Sequence, residues 1–356
     1  MKVKHIITIV TILAAGLLSA CSSTLRGSSW SGLAADDKMA YLADGTYVYA
    51  VRLSNGSEAW RYPQKADSKK LFFATPVLTS DGQLIVGSSG SNYSLFSLNP
   101  ENGQENWAFT QANDRWIGGP LIANGTIYAP NADGNLYALD LKGGLRWIFS
   151  AKAPLWAQPA TDDKAIYVTT LDHRLLAVNP QSGESLWDDV PLDGAIAGSP
   201  VVGTNDLIYV GTFGSKMTAI DTTSQAIRWS APTEGWIWGS PTLSGEALYF
   251  GDLSGRFYAL NTANGERIWE PLQPDGPIVG SPLLISDYLI ITTESGSVYA
   301  IDQEGKIAWS KVVGGQIYTT PVAAGDLILI APMQTEFFLA AMDKNGNQVW
   351  TFTPVK

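Results

Sequence analysis

Beyond residue 30 the chain is written in short apolar runs cut by turns. The stretch Ala247 to Trp269, ALYFGDLSGRFYALNTANGERIW, shows the unit: a β-rich run, a Gly/Ser turn, a second run, then another turn and a run carrying Trp. Runs of this length, bounded by Gly, Ser, Asn and Asp, predict strands joined by tight connections. A preceding segment of the IVGSP type adds a fourth run. It ends at Pro76, Pro120, Pro159, Pro200, Pro241, Pro282 and Pro321, with Leu33 in that place in the first copy. No helical periodicity interrupts the pattern after the N-terminal segment, so each unit is expected to be four antiparallel strands, A to D.

The unit repeats. Trp60, Trp107, Trp147, Trp187, Trp229, Trp269, Trp309 and Trp350 recur at intervals of 47, 40, 40, 42, 40, 40 and 41. A period near forty marks a propeller or solenoid, and four antiparallel strands per period select the propeller. The expected fold is therefore all-β, an eight-bladed β-propeller of four-stranded antiparallel blades over residues 30–356. Each copy supplies its own four strands, so the ring is expected to close without an exchanged strand.

Fixed offsets around the Trp carry physical reasons. Gly stands four residues before it in seven copies, with Gln225 the exception; Asp or Asn stands seven or eight before it in seven copies, with Arg52 the exception. An Asp or Asn side chain bonds the backbone two residues on, and Gly supplies a positive φ, so strands C and D reverse tightly. Two residues before the Asp or Asn is Ala, or Ser97 in the second copy, small enough to leave space for a large neighbour. The Trp is expected to dock between blades, burying about 150–250 Å². On that basis Trp187→Ala is expected to cost about 3–5 kcal/mol.

The N-terminus reads differently. Met1-Lys2-Val3-Lys4-His5 precedes an apolar run from Ile6 to Leu18, a basic region and a core too short to span a bilayer comfortably, as in a signal peptide. Leu18-Ser19-Ala20-Cys21 follows and holds the only Cys; it resembles the lipobox of bacterial lipoproteins. The expectation is a signal peptide over 1–20, an acylated Cys21 and a tether over 21–29, holding the propeller at a membrane. Ser22 in place of Asp resembles an outer-membrane sorting signal in a two-membrane bacterium; in a one-membrane cell the site would be the outer face of the plasma membrane. Residues 1–20 contain two lysines and no acid, so their removal takes the formal charge from −10 to −12. That acidity argues against nucleic acid and anionic lipid as partners.

The AxDxxxGxxxW-like pattern resembles the tryptophan-docking repeat of quinoprotein dehydrogenases and of the BamB family of outer-membrane assembly lipoproteins, and it covers residues 28–356. Both are eight-bladed propellers, so the resemblance supports the fold more strongly than a function. The quinoprotein enzymes it implies need a quinone, a Ca²⁺ held by carboxylate and amide oxygens, an acidic base and typically a disulfide between adjacent cysteines. A chain with one Cys cannot make that disulfide.

Candidate chemistry is sparse. His173, in the turn Leu171-Asp172-His173-Arg174, has no second His or Cys nearby in sequence and reads as an exposed turn residue. No nucleophile motif or Cys/His metal spacing is present, and the acidic pairs Asp36-Asp37 and Asp188-Asp189 read as solvated loops. The expectation is a non-enzyme with no catalytic residue, cofactor or metal.

Strand parity puts the D-to-A and B-to-C connections on one face and the A-to-B and C-to-D turns on the other. The first face carries two long connections, one between Trp60 and Pro76 with Lys65, Lys69 and Lys70, and one around residues 87–94. It also gathers aromatic residues at the start of strand A, including Trp30 and Phe73. Arg115, Trp116, Trp156, Trp236, Trp238 and Tyr318 are the candidate binding face, aromatic rings with a nearby Arg being typical anchors. The partner expected is another envelope protein, membrane-embedded, met by a monomeric propeller in the manner the BamB resemblance implies. Two other readings stand beside it: a receptor binding a small molecule or glycan in the central funnel, and a degenerate quinoprotein oxidoreductase.

Overall fold

The computed structural model describes residues 30–355. The expected signal peptide, Cys21 and the tether lie outside the described residues. Within them the chain forms thirty-one strands and no helix, gathered into eight antiparallel sheets. Blade 1 is Gly32–Ala35, Met39–Asp44, Tyr47–Arg52 and Glu58–Tyr62, paired in that order. The last blade, Val322–Ala324, Leu327–Ile330, Leu339–Asp343 and Gln348–Phe352, repeats it.

Burial follows position in the blade. Strands B and C bury both faces, as at Thr126–Pro130, where every residue is inside; strand D, as at Leu145–Ser150, leaves alternate residues in water. The core divides into eight apolar clusters, each shared by two consecutive blades. One of them joins Leu33, Tyr49 and Val51 of blade 1 to Leu339, Trp350 and Phe352 of blade 8. The ring is therefore closed by side-chain packing between complete blades, with no exchanged strand.

The small residue of the repeat has a clear job. Ala138 pairs directly with Trp147 on one side and Tyr128 on the other, and the Tyr128 and Trp147 rings meet with centroids 5.8 Å apart. Tyr41–Trp60, Tyr167–Trp187, Tyr209–Trp229 and Tyr249–Trp269 repeat this contact across Ala50, Ala177, Ala219 and Ala259. A larger residue between the two rings would hold them apart. In the regular blades a β-bulge follows the Ala at once, turning strand D so that its indole leans on the next blade.

The landing place is the Gly of that next blade. A Cβ on Gly143 would lie 2.7 Å from the Trp107 ring, and on Gly56 2.7 Å from the Trp350 ring. Both glycines also have positive φ, +82° and +71°. The residue thus serves the turn and the docking at once, while Asp140 Oδ1 accepts from Lys142 N at 2.8 Å as the sequence predicts. Seven of the eight indole N–H groups donate to a backbone carbonyl in the next blade's C-to-D turn, at 2.8–3.3 Å. Burial is less complete than the sequence suggests. Only Trp60 and Trp350 are buried, the other six being half-buried, because strand D is the outer edge of each blade.

Two outer strands are interrupted. In blade 6 strand D shrinks to isolated bridges at Arg267 and Leu272, with Pro271 removing a backbone donor between them. Blade 4 keeps only Val190–Pro191 and a bridge at Ser185, the gap holding Asp188 and Asp189, residues poorly suited to a strand.

The channel mouth as candidate functional site

Strand A of every blade lines a central channel, and the residues just before it form the mouth. Counting back from the Pro, the fourth residue points into the core: Phe72, Trp116, Leu155, Ile196, Ile237, Ile278 and Ile317 are all at most 1% exposed. The third residue faces the channel, giving Phe73, Ile117, Trp156, Ala197, Trp238, Val279 and Tyr318, with Trp30 in blade 1. The fifth sits on the rim, as with exposed Arg115 and Trp236.

This parity corrects the candidate face. Trp116 belongs to the core: 1% exposed, it packs on Phe109 and Tyr137, and its Nε1 donates to Tyr93 O at 2.8 Å. Arg115 stands on the rim paired with Asp114 at 3.4 Å, away from the aromatic rings of blades 5 to 8. Trp156, Trp238 and Tyr318 do line the mouth. Trp30 packs edge-on against Trp238 at 5.3 Å and against Tyr318 at 5.7 Å. Tyr318 donates to Glu294 Oε1 at 2.8 Å, and burial followed by this bond pushes its hydroxyl up to about 12.

Two contributors escape the sequence reading. Phe213, in the B-to-C loop of blade 5, stacks on Trp236 at 5.4 Å and 11° and touches Trp238 at 5.0 Å. The buried Asp252 carboxylate fixes the loop beneath: its Oδ1 accepts from Ser254 N, Ser254 Oγ and Arg256 N, and its Oδ2 from Gly235 N and Tyr258 OH. Leu253 N then donates to Trp236 O at 2.9 Å. A signal existed in the repeat, since Asn131, Thr170 and Thr293 stand just after strand B, Thr212 at its last position, and all four are likewise buried polar residues.

Below the rim the wall is made of small residues. A Cβ on Gly198 would lie 2.8 Å from Gly239 O, and one on Gly32 only 2.4 Å from Ala74 O, because eight strands converge there. Ser199 N donates to Ser240 Oγ, Ser240 N to Ser281 Oγ and Ser281 N to Thr320 Oγ1, at 2.8–3.0 Å. Thr319 Oγ1 carries the series on to blade 1, donating to Ser31 O at 2.8 Å. The space enclosed is about 360 Å³ and no charged side chain lines it. Among the described residues no three His, Cys, Asp or Glu side chains converge as metal ligands, and His173 is an exposed turn residue at φ +74°.

The two long connections of blade 2 pack on each other, with Ser89 N donating to Leu71 O at 2.6 Å and Asn92 N to Lys69 O at 3.3 Å. Lys70 Nζ lies over the Tyr62 and Phe96 rings at 4.9 and 4.8 Å.

Fold and mouth together define a closed tryptophan-docked propeller with an uncharged, aromatic-rimmed channel. The chain belongs to the family described as outer membrane protein assembly factor BamB, whose model matches residues 19–150, 91–192, 172–286 and 276–355. It is 24% identical to the assembly factor BamB of Nitrosomonas eutropha over 219 residues, which is 60% of this chain and 52% of that protein. It is 27% identical to the quinoprotein alcohol dehydrogenase PedH of Pseudomonas putida over 174 residues, 42% of this chain and 29% of the enzyme. The first match thus spans about half the length of the curated relative, and the second less than a third. Among solved structures the crystal structure of BamB from Moraxella catarrhalis superposes with a TM-score of 0.69 at 20% identity, over 91% of this chain and 94% of that one. The computationally designed Ika8 protein reaches a TM-score of 0.72 at 11% identity, over 92% and 98%. These two likenesses speak for the fold alone.

Proposed function

We propose that this protein is a non-enzymatic, lipid-anchored scaffold of the bacterial envelope that docks a membrane-embedded partner in outer-membrane protein assembly. Family membership supports the assembly role, and the single Cys at Cys21 after a signal-like segment supports the anchor. The observation that carries the docking is Trp236. It stands 53% exposed on the rim, stacked on Phe213 and held from below by the Asp252 network. A rigid aromatic pair of this kind loses little side-chain freedom on binding, which is what an interface anchor needs.

A photo-crosslinker placed at residue 236 in the native membrane tests this. Recovery of an outer-membrane assembly protein is expected, whereas recovery of a solute transporter, or of no membrane protein, would overturn the reading. Cys21→Ser should move the protein from the membrane fraction to the soluble one; retention in the membrane would remove the anchor from the proposal.

The likeness to a quinoprotein dehydrogenase favours a second reading, quinone-dependent oxidation. The residues argue against it: no residue lining the throat is charged, and the carboxylate beside the mouth, Glu294, already accepts from Tyr318 OH and Gln316 Nε2. Dye reduction on adding quinone, Ca²⁺ and a panel of alcohols and sugars would restore that reading.

A further inference from the structure

We infer that the throat of the channel mouth binds a neutral saccharide of one or two pyranose rings. The inference goes beyond the docking reading and does not depend on it, since docking uses the rim at Trp236 and the saccharide would use the wall beneath.

Three features converge. The space of about 360 Å³ falls within the range of small-molecule sites, about 300–1,000 Å³. At its upper edge Trp156 meets no other ring among the described residues, and its electron-rich face suits the polarised C–H bonds on one side of a pyranose; Trp238 and Tyr318 stand in the same rim, packed by Phe213 and Trp30. Below them, the hydroxyls of Ser240, Ser281 and Thr320 each accept a backbone N–H from the neighbouring blade. Among the described residues none of the three donates its own proton to a protein acceptor. Gln158 donates through Nε2 to Pro120 O at 2.7 Å, which leaves its carbonyl oxygen as an acceptor in the same wall.

The ligand class follows from what this wall would leave unsatisfied. An apolar side chain entering the throat would strand those hydroxyl protons and the Gln158 carbonyl away from water, a loss for each group. An ion would find no opposite charge, because no lining residue is charged. Sugar hydroxyls both donate and accept, so a pyranose satisfies the wall while its C–H face lies on the Trp156 indole.

The test is titration of the purified full chain with maltose, cellobiose and N,N′-diacetylchitobiose, read by calorimetry and by indole fluorescence. Saturable binding to at least one is expected, with Kd about 1 mM. Trp156→Ala is expected to weaken it about tenfold. Ser240→Ala leaves the rings in place and should weaken it about fivefold, which guards against misreading a folding defect. Trp236→Ala should leave sugar binding unchanged while weakening partner capture. Absence of saturable binding to all three sugars by the folded chain would overturn the inference, as would affinity indifferent to both throat substitutions. Crosslinking at residue 236 reports on the docking reading separately.

Discussion

The joint between blades 8 and 1 and the joint between blades 4 and 5 are built from the same repeat and differ at every point that matters for docking. At the first, Trp350 is 8% exposed, lies flat on Gly56 and donates to Leu53 O at 2.8 Å. Tyr49 adds an edge contact to Phe352 at 5.6 Å, and Arg61 Nη2 donates to Val355 O at 3.0 Å. At the second, the floor residue is Gln225 at φ +56°, and Trp187 is half-buried on a strand already broken by Asp188 and Asp189. Among the described residues its Nε1 reaches no carbonyl across the joint. The contrast teaches that glycine is what lets the indole settle, because a Cβ there removes both the flat contact and the path to the turn carbonyl. The seam where the ring closes is the well-made joint, and no chain connection crosses it as one does between blades 4 and 5.

The largest expected effect is at that seam. Trp350→Ala should destabilise the protein by about 3–5 kcal/mol in equilibrium denaturation; a loss under about 1 kcal/mol would show that the indole does not hold the ring shut. Trp187→Ala, for which the repeat alone suggests the same cost, should lose only about 1–2 kcal/mol given its missing floor. Equal losses for the two substitutions would erase the distinction between the joints. Gln225→Gly relieves an L-residue held in the left-handed region and reopens the floor, against the entropy glycine gains when unfolded, so a net gain of about 0.5 kcal/mol is expected. A measurable loss in the same assay would mean that the Gln225 side chain contributes a contact of its own.

The smallest effect is electrostatic and belongs to the weaker joint. Arg174 on blade 4 pairs with Asp172 at 2.8 Å and with Asp189. Partial burial pushes the Asp172 carboxyl up, but hydrogen bonds from Arg174 and Thr170 outweigh it and hold the group below its usual range. A lowered folded value gives stability that is present above the unfolded carboxylate range near about 4 and is lost as pH falls through the folded value. With Asp172 half exposed, the loss should be under about 1 kcal/mol. Asp172→Asn should therefore be less stable than the parent at pH about 6, with the gap narrowing as pH falls below about 4 towards about 2. A gap unchanged between the two conditions would sink the assignment.

Much of this was legible in the chain. The spacing of Trp, Gly, Asp and Ala dictated blade number, turn chemistry and ring closure because each offset answers a local steric demand repeated eight times. Trp116 was misplaced for a reason also visible in sequence: it lies four residues before its Pro, while Trp156, Trp238 and Tyr318 lie three before theirs, and alternate strand residues face opposite ways. Phe213 was less accessible to that reading. Its contacts to Trp236 and Trp238 join a B-to-C loop to the following blade, and the distance between them depends on the twist of two sheets, which residue spacing does not encode.

Because each blade is complete, the first strand among the described residues is also the innermost of its blade. Gly32–Ala35 runs along the channel, bonded to one neighbour strand and wedged between Ala74 of blade 2 and Thr319 of blade 8. Any mechanical tension reaching the ring through Trp30 is delivered to its hub, where it meets eight convergent strands, and spares the outer edges that would peel one hydrogen bond at a time.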